Sequence, residues 1–216
     1  MIKAVLFDLD GTFADTAPDL AAALNHVRAL HQLPPLPLEV LRPQASHGSA
    51  GLLRLGMGVE PDAPEFPALR DAFLQHYTAH LCDQTRLFPG MAELLAELAA
   101  RGLPWGIVTN KPDRFTVPLL QGLGYAEQAA CLVSGDTCTH AKPHPLPLLH
   151  AAGLIGVPPA ACLYLGDDRR DMEAAQAAAM RGVVAEYGYV SPDWRDWPAQ
   201  DSVVQPLELL TYLSQK

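Results

Sequence analysis

Residues 3–16 read KAVLFDLDGTFADT, and this stretch decides the fold. The run from Lys3 to Asp8 is continuously apolar and ends in carboxylates, the pattern of a strand buried on both faces in a parallel sheet. Working outward, four more runs of this type follow: Trp105–Val108, closing on Thr109 and Asn110, then Cys131–Val133, Cys162–Leu165 and Gly182–Ala185. Amphipathic or Ala-rich stretches at Met91–Arg101, about Thr116–Leu123, Pro145–Ala152 and Arg170–Met180 separate the later runs. Strand–helix alternation predicts βαβ units and an open α/β fold with a Rossmann-like parallel sheet. Ser202–Val204 and Leu207–Leu213 read as a last short strand and a closing helix.

The segment from Thr16 to Gln84 interrupts this pattern with helices and no convincing strand. Thr16-Ala17-Pro18-Asp19 reads as a capping box with an early proline. Leu20, Leu24, Val27 and Leu30 then recur on one helix face, and Leu33-Pro34-Pro35 ends it. A longer helix is predicted over Glu65–Cys82, with Phe66, Leu69, Phe73 and Tyr77 inward. The expected organisation is a core domain of residues 1–15 and 85–216 and an all-helical domain of residues 16–84. Hinges are expected near Ala14–Thr16 and Asp83–Arg86.

Composition narrows the function. Hydrophobic residues make up 49% and charged residues 18% of the 216, values of a globular protein. A formal net charge of −9 with no basic block argues against nucleic acid as a partner. An anionic substrate must then be drawn in by local positive charge. Cys82, Cys131, Cys138 and Cys162 have neither a C-x-x-C pair nor zinc-like spacing, so four reduced, structural thiols are expected. His76 and His80 are four residues apart, but a helix face explains them better than a metal site. No stretch is long enough to span a bilayer, and Asp8 and Asp10 break the apolar N-terminal run. A cytoplasmic protein with no membrane partner, monomeric or weakly dimeric, is expected.

Ligands of open α/β sheets bind outside the carboxyl ends of the strands. Those ends read Asp8-Leu9-Asp10, Thr109-Asn110, Ser134-Gly135-Asp136 and Gly166-Asp167-Asp168, with Lys142 after the third. Asp8 and Asp10 stand at i and i+2 on an extended chain and face one reacting group. Two such carboxylates suit a nucleophile beside a proton donor if something offsets their repulsion. Taken singly, each element has an ordinary reading: solvated acids before a glycine turn, Thr-Asn turn chemistry, a surface lysine, a helix cap.

In this order, the four elements resemble the motifs of the haloacid dehalogenase superfamily of aspartate-dependent phosphohydrolases. D-x-D-G-T-[LVF] corresponds to Asp8–Phe13, the strand ending in Ser or Thr to Ile107-Val108-Thr109, the lysine to Lys142, and G-D-x-x-x-D to Gly166, Asp167 and Asp171. The resemblance spans the chain and implies that residues 16–84 are a helical cap. It implies Asp8 as nucleophile, Asp10 as acid and base, and Mg²⁺ held by Asp8, the Asp10 carbonyl and Asp167. Lys142, Thr109 and the Asn110 amide would hold phosphoryl oxygens, and Asp171 would orient Lys142 or a metal-bound water. Asp168 departs from the pattern, since many relatives have Ser or Thr there, and it adds negative charge beside the metal. Specificity for a small phosphate ester is expected from the cap, at the polar loop Gln44–Ser49 with Ser46, His47, Gly48 and Ser49.

Within the superfamily, Val108-Thr109-Asn110-Lys111-Pro112, Lys142-Pro143-His144-Pro145 and Tyr187-Gly188-Tyr189 resemble the phosphoglycolate phosphatases. The N-acetylmuramic acid 6-phosphate phosphatases fit as well. A phosphosugar mutase uses the same motifs and stays open at this point. Phosphonoacetaldehyde-type hydrolysis needs a cap lysine, and residues 16–84 contain none.

Overall fold

Six strands form one parallel sheet in the order β5-β4-β1-β6-β7-β8. In the computed structural model, which describes residues 1–213, these are β1 (Ala4–Phe7), β4 (Trp105–Val108), β5 (Cys131–Val133), β6 (Cys162–Gly166), β7 (Arg181–Ala185) and β8 (Asp201–Val203). Every residue of β1, β4 and β6 is buried, which is why these segments read as unbroken apolar runs. β1 lies between β4 and β6, with Phe7 level with Ile107 on one side and Leu165 on the other. The chain runs outward from β1 through β4 to β5 and then returns to β6 on the other side. The crevice at such a reversal is where open sheets bind ligands. The next residues of these strands are Asp8, Val108 and Gly166.

Alternate side chains of β1 pack on opposite faces. Leu6 joins Val108, Val133, Leu148, Tyr164 and Ala174 in one core cluster. Phe7 joins an aromatic group on the other face, where Phe13 stacks on Trp105 with centroids 5.4 Å apart and meets Tyr125 edge-on. Phe13 thereby anchors the turn that follows β1. Its amide donates to the carbonyls of Asp8 and Leu9, and Gly11 donates back to Ala14. Gly11 has φ +83°, and any side chain there would run into the Asp167 carboxylate.

The chain divides into two units, one of Met1–Ala14 and the residues from Leu87 onward, the other of Asp15–Arg86. β2 (Ala14–Asp15) and β3 (Arg86–Leu87), not foreseen as strands, form a separate two-stranded sheet. The second unit consists of α1 (Ala17–Leu30), α2 (Leu38–Leu41), a 3-10 helix (Arg42–His47), α3 (Gly48–Met57) and α4 (Phe66–Ala79). Leu20, Leu24, Val27, Leu41, Leu52, Leu53, Phe66, Leu69, Phe73 and Tyr77 are among its buried apolar side chains. Arg28, buried in this unit, donates to the carbonyls of Pro34 and Gly56. It thus ties the proline turn and the end of α3 to α1. His26, His76 and His80 form a column of rings with centroids 4.3 and 4.4 Å apart, His76 in the last turn of α4 and His80 just past its end.

Two local expectations for this unit fail. Asp19 does not close a capping box. Its carboxylate accepts from the amides of Gln84 and Thr85 and from the Thr85 hydroxyl, fastening the returning chain to the start of α1. Gln44–Ser49 is not a loop but the meeting of the 3-10 helix with α3. Gly48 makes that junction with φ 59° and ψ −154°, a backbone region open essentially to glycine alone.

The remaining helices belong to the first unit: α5 (Met91–Ala100), α6 (Asp113–Leu123), α7 (Leu146–Ile155), α8 (Arg169–Ala177) and α9 (Leu210–Leu213). α6 starts about one turn earlier than the sequence suggested, at Asp113, directly after Pro112, whose fixed φ suits a helix entrance. Among the described residues, no helix is long and apolar enough to cross a membrane. All four cysteines are free thiols, and burial raises the pKa of each, that of Cys131 to about 12.

Candidate active site

The C-terminal ends of β1, β4 and β6 bring Asp8, Thr109 and Asp167 to one edge of the sheet. Asp8, Asp167 and Asp171 are buried, and one oxygen from each lies within 4.8 Å of the others. The Lys142 ammonium sits against this cluster, 2.9 Å from Asp8 and 2.7 Å from Asp171. Three carboxylates and one ammonium leave the cluster net negative when all are ionised. Burial pushes the Asp8 pKa up to about 7; Asp171 and Asp10 add to the rise while Lys142 opposes it. Burial likewise holds Asp167 well above the usual carboxylate range, reinforced by Asp8 and Asp171. Such a set of hard oxygen donors fits a divalent cation, which would supply the missing positive charge.

Lys142 is held at both ends. The Asn110 side chain grips its backbone reciprocally: Nδ2 donates to the Lys142 carbonyl and Oδ1 accepts from the Lys142 amide, each at 2.9 Å. The ammonium also reaches the Val108 carbonyl at 3.0 Å and the Tyr164 hydroxyl at 2.6 Å. Burial works against its charge, but Asp171 and Asp8 more than offset this and raise its pKa. Four oxygen neighbours face three N–H bonds, so a phosphoryl oxygen can gain one only as another partner gives way. Both of these bonds of the Asn110 side chain thus go to the Lys142 backbone.

Asp171 and Asp168 share the entrance of α8. Asp171 directs Oδ1 at Lys142 and accepts from the Asp168 amide with Oδ2, so both of its oxygens are occupied in supporting neighbours. Asp168 accepts from the Arg170 amide and forms a two-pronged pair with its guanidinium at 2.7 and 2.9 Å. Its expected surplus of negative charge is therefore neutralised locally, and the residue works as the cap of α8.

Asp167 accepts from the Thr12 hydroxyl at 2.8 Å and from the Tyr189 amide at 3.0 Å. The Tyr187 hydroxyl donates to the Thr12 carbonyl. Gly188, between the tyrosines, passes so close to Gly11 and Asp167 that no side chain fits there. Thr109 is buried, and its oxygen accepts from the Lys111 amide at 3.1 Å. Its hydroxyl proton can therefore be directed elsewhere. Asp10 faces Lys111, whose ammonium lies 3.0 Å from Oδ1 and 3.3 Å from Oδ2. Ser46, His47, Gly48 and Ser49 lie in the helical unit, the first two in the 3-10 helix and the others opening α3.

Sequence reasoning missed Lys111, Thr12 and Tyr164 as parts of this site. Lys111 and Thr12 stand inside quoted motifs. Tyr164 was the more legible omission: a phenol in a strand buried on both faces needs a polar partner.

The model of the haloacid dehalogenase-like hydrolases matches residues 5–185. The chain belongs to this family. The haloacid dehalogenase-like core explains why the acids gather at the sheet edge, and the chain's relatives make it a phosphatase of that superfamily. It is 42% identical over 214 residues to the N-acetylmuramic acid 6-phosphate phosphatase of Pseudomonas aeruginosa, covering 98% of this chain and 95% of the relative. It is 44% identical over 209 residues to the phosphoglycolate phosphatase of Xanthomonas campestris pv. campestris, covering 96% and 94%. The crystal structure of a predicted phosphoglycolate phosphatase from Haemophilus somnus superposes with a TM-score of 0.84 at 28% identity, covering 99% and 98% of the two chains.

Proposed function

We propose that this haloacid dehalogenase-like phosphatase is Mg²⁺-dependent, works in the cytoplasm through an aspartyl-phosphate on Asp8, and hydrolyses 2-phosphoglycolate. The observation that carries the reading is the Asp8 carboxylate, buried at the end of β1, 2.9 Å from the Lys142 ammonium and beside two further buried acids. Asp8, Asp167 and the Asp10 carbonyl would hold the ion. Bound there, Mg²⁺ supplies positive charge that keeps Asp8 ionised and offsets the charge of the phosphate.

Phosphoryl transfer asks a protein mainly for positioning and charge. A carboxylate oxygen of Asp8 attacks phosphorus as the bond to the leaving oxygen breaks, and Asp10 delivers the proton that oxygen needs. Water then attacks the acyl phosphate, gives its proton to Asp10, and Asp8 leaves as carboxylate. The Thr109 hydroxyl donates to a phosphoryl oxygen. Lys142 turns the N–H it gives Asp8 toward the phosphoryl group as the Asp8 charge is consumed by the new bond. Asp171 and Asn110 keep Lys142 in place throughout. In this reading, Ser46, His47, Gly48 and Ser49 of the helical unit recognise the leaving-group side of the ester; the hydroxyls of Ser46 and Ser49 and the imidazole of His47 support it by offering hydrogen bonds.

The relative from Pseudomonas aeruginosa favours a second reading with N-acetylmuramic acid 6-phosphate as substrate. Phosphate release from a panel containing both esters and glucose 6-phosphate separates the two. The highest kcat/KM on 2-phosphoglycolate supports the first reading and the highest on the amino sugar ester the second. Absence of release from every ester overturns both. Trapping labelled phosphate on the wild-type protein but not on Asp8→Asn tests the covalent step. His47→Ala is expected to shift the ratio of kcat/KM between the two esters by roughly 5- to 150-fold, the worth of about 1–3 kcal/mol in one lost hydrogen bond.

A further inference from the structure

Lys111 is a nearly buried lysine that the mechanism above does not use. It is 8% exposed, and both oxygens of Asp10 face its ammonium, at 3.0 and 3.3 Å. A lysine side chain is ordinarily mobile, and holding it in one place costs rotamer entropy. Here its root is locked. The Lys111 amide donates to the Thr109 hydroxyl oxygen at 3.1 Å, and its carbonyl accepts from the Gly135 amide at 2.8 Å and the Thr116 hydroxyl at 3.1 Å. Pro112 follows and restricts the backbone of Lys111 further. The turn after β4 thus fixes two things at once: the Thr109 hydroxyl oxygen and an ammonium aimed across 101 residues of sequence at Asp10.

We propose that Lys111 is the positioning residue that orients the Asp10 carboxylate for proton transfer to the leaving group. The inference rests on the proton-transfer role assigned above to Asp10. Once Asp10 has given its proton to the departing alkoxide, its carboxylate makes this ion pair with the Lys111 ammonium. Lys111 then holds the carboxylate in place until the attacking water returns a proton to it. Lys111 touches neither the phosphorus nor its oxygens in this scheme; it acts through Asp10.

A departing alkoxide needs that proton, whereas 2,4-dinitrophenolate leaves without one. Rapid-quench measurement of phosphoenzyme formation from an alkyl phosphate and from 2,4-dinitrophenyl phosphate therefore isolates the orientation of Asp10. Lys111→Met is expected to slow formation from the alkyl ester about 10- to 100-fold, a part of the roughly 10²–10⁴ that general acid catalysis supplies, and formation from the aryl ester about threefold or less. Lys111→Arg, which keeps a cation at the same place, should recover most of the alkyl rate. A structural role alone would lower both rates together and would not be rescued selectively. Equal losses on the two esters, or no loss on either, overturn the inference; if Lys111→Met does not fold, Lys111→Arg and Lys111→Gln give the same comparison. Asp10→Asn, measured in parallel, separates the two levels. Leaving-group selectivity in Asp10→Asn without it in the Lys111 variants defeats the role of Lys111. Its absence from Asp10→Asn defeats the role given to Asp10, and that of Lys111 falls with it.

Discussion

Lys142 and Asp171 meet at 2.7 Å with side chains 2% and 1% exposed, so each is the other's counter-charge in a place water does not reach. The pair joins the loop after β5 to the entrance of α8, and Asp8 shares the same ammonium at 2.9 Å. Its value lies in where it holds the ammonium: a buried ion pair gives little net stability, but removing one member leaves an uncompensated charge.

Asp171→Asn is therefore expected to cost stability as well as activity. Because Lys142 keeps Asp8 as a partner, the loss should fall near the low end of the roughly 3–5 kcal/mol seen for broken buried pairs, about 3 kcal/mol. That corresponds to a fall in Tm of about 6–12 °C for a chain of this size, measured by calorimetry. Tyr164→Phe, which removes a neutral neighbour of Lys142, should cost less than Asp171→Asn. Equal melting temperatures for wild type and Asp171→Asn would contradict the account of the pair.

Metal binding should depend on pH in a defined direction. Asp8 is held up at about 7 and Asp167 well above its ordinary value, so both bind protons in the native state that the unfolded chain has already released. In the absence of metal, stability then falls as pH rises from the ordinary carboxylate range through about 7. A divalent cation needs both groups ionised and displaces those protons. The rise in Tm on adding Mg²⁺ should accordingly be small at pH 5.5 and larger at pH 8. Calorimetric titration should show protons released on binding, and EDTA should abolish activity until Mg²⁺ is restored. A Tm increment that does not change with pH would contradict this picture of the cluster.

Much of the sheet was legible because its strands are buried on both faces, which forces unbroken apolar runs such as Ala4–Phe7 and Trp105–Val108. The site acids were legible for a related reason: at the end of such a strand, a carboxylate is conspicuous. What could not be read was pairing over distance. Asp19 has the spacing of a capping box, yet its partners Gln84 and Thr85 arrive 65 and 66 residues later. Lys111 before Pro112 reads as turn chemistry until the fold sets Asp10 against it. The helical form of Gln44–Ser49 hinges on one glycine torsion at Gly48, which composition suggests as flexibility rather than as a junction. The hold of Asn110 on Lys142 could not be read either, because the two stand 32 residues apart.

Gly188→Ala tests the packing around Asp167. The backbone of Gly188 is outside the left-handed region, so the obstacle is space: a methyl group would run into the Gly11 carbonyl and the Asp167 side chain. Backbone on one side and a site carboxylate on the other leave little room to adjust. The Tyr189 amide that fixes Asp167 should shift with it. Losing such support for a metal ligand typically costs about 10- to 100-fold in metal affinity, so the Mg²⁺ concentration for half-maximal activity should rise by that order. An unchanged Mg²⁺ dependence would show that Asp167 is held by Thr12 alone.

Asn110→Ala separates a phosphate-binding role for Asn110 from a role exerted through Lys142. The variant removes both reciprocal bonds to the Lys142 backbone and leaves the Lys142 side chain intact. Displacement of a charged group by about 1 Å can cost on the order of 10² in rate, so kcat should fall by roughly that factor while KM changes little. The decisive comparison is a double-mutant cycle with Lys142→Met. If Asn110 works only by holding Lys142, its removal costs little more once the ammonium is gone, and the two losses fail to add. If Asn110 contacts phosphoryl oxygens directly, the losses add, and Asn110→Ala also weakens inhibition by inorganic phosphate in the Lys142→Met background. The reciprocal 2.9 Å bonds predict the first result, because an amide that donates from Nδ2 to the Lys142 carbonyl and accepts the Lys142 N–H on Oδ1 has both ends engaged on that one residue.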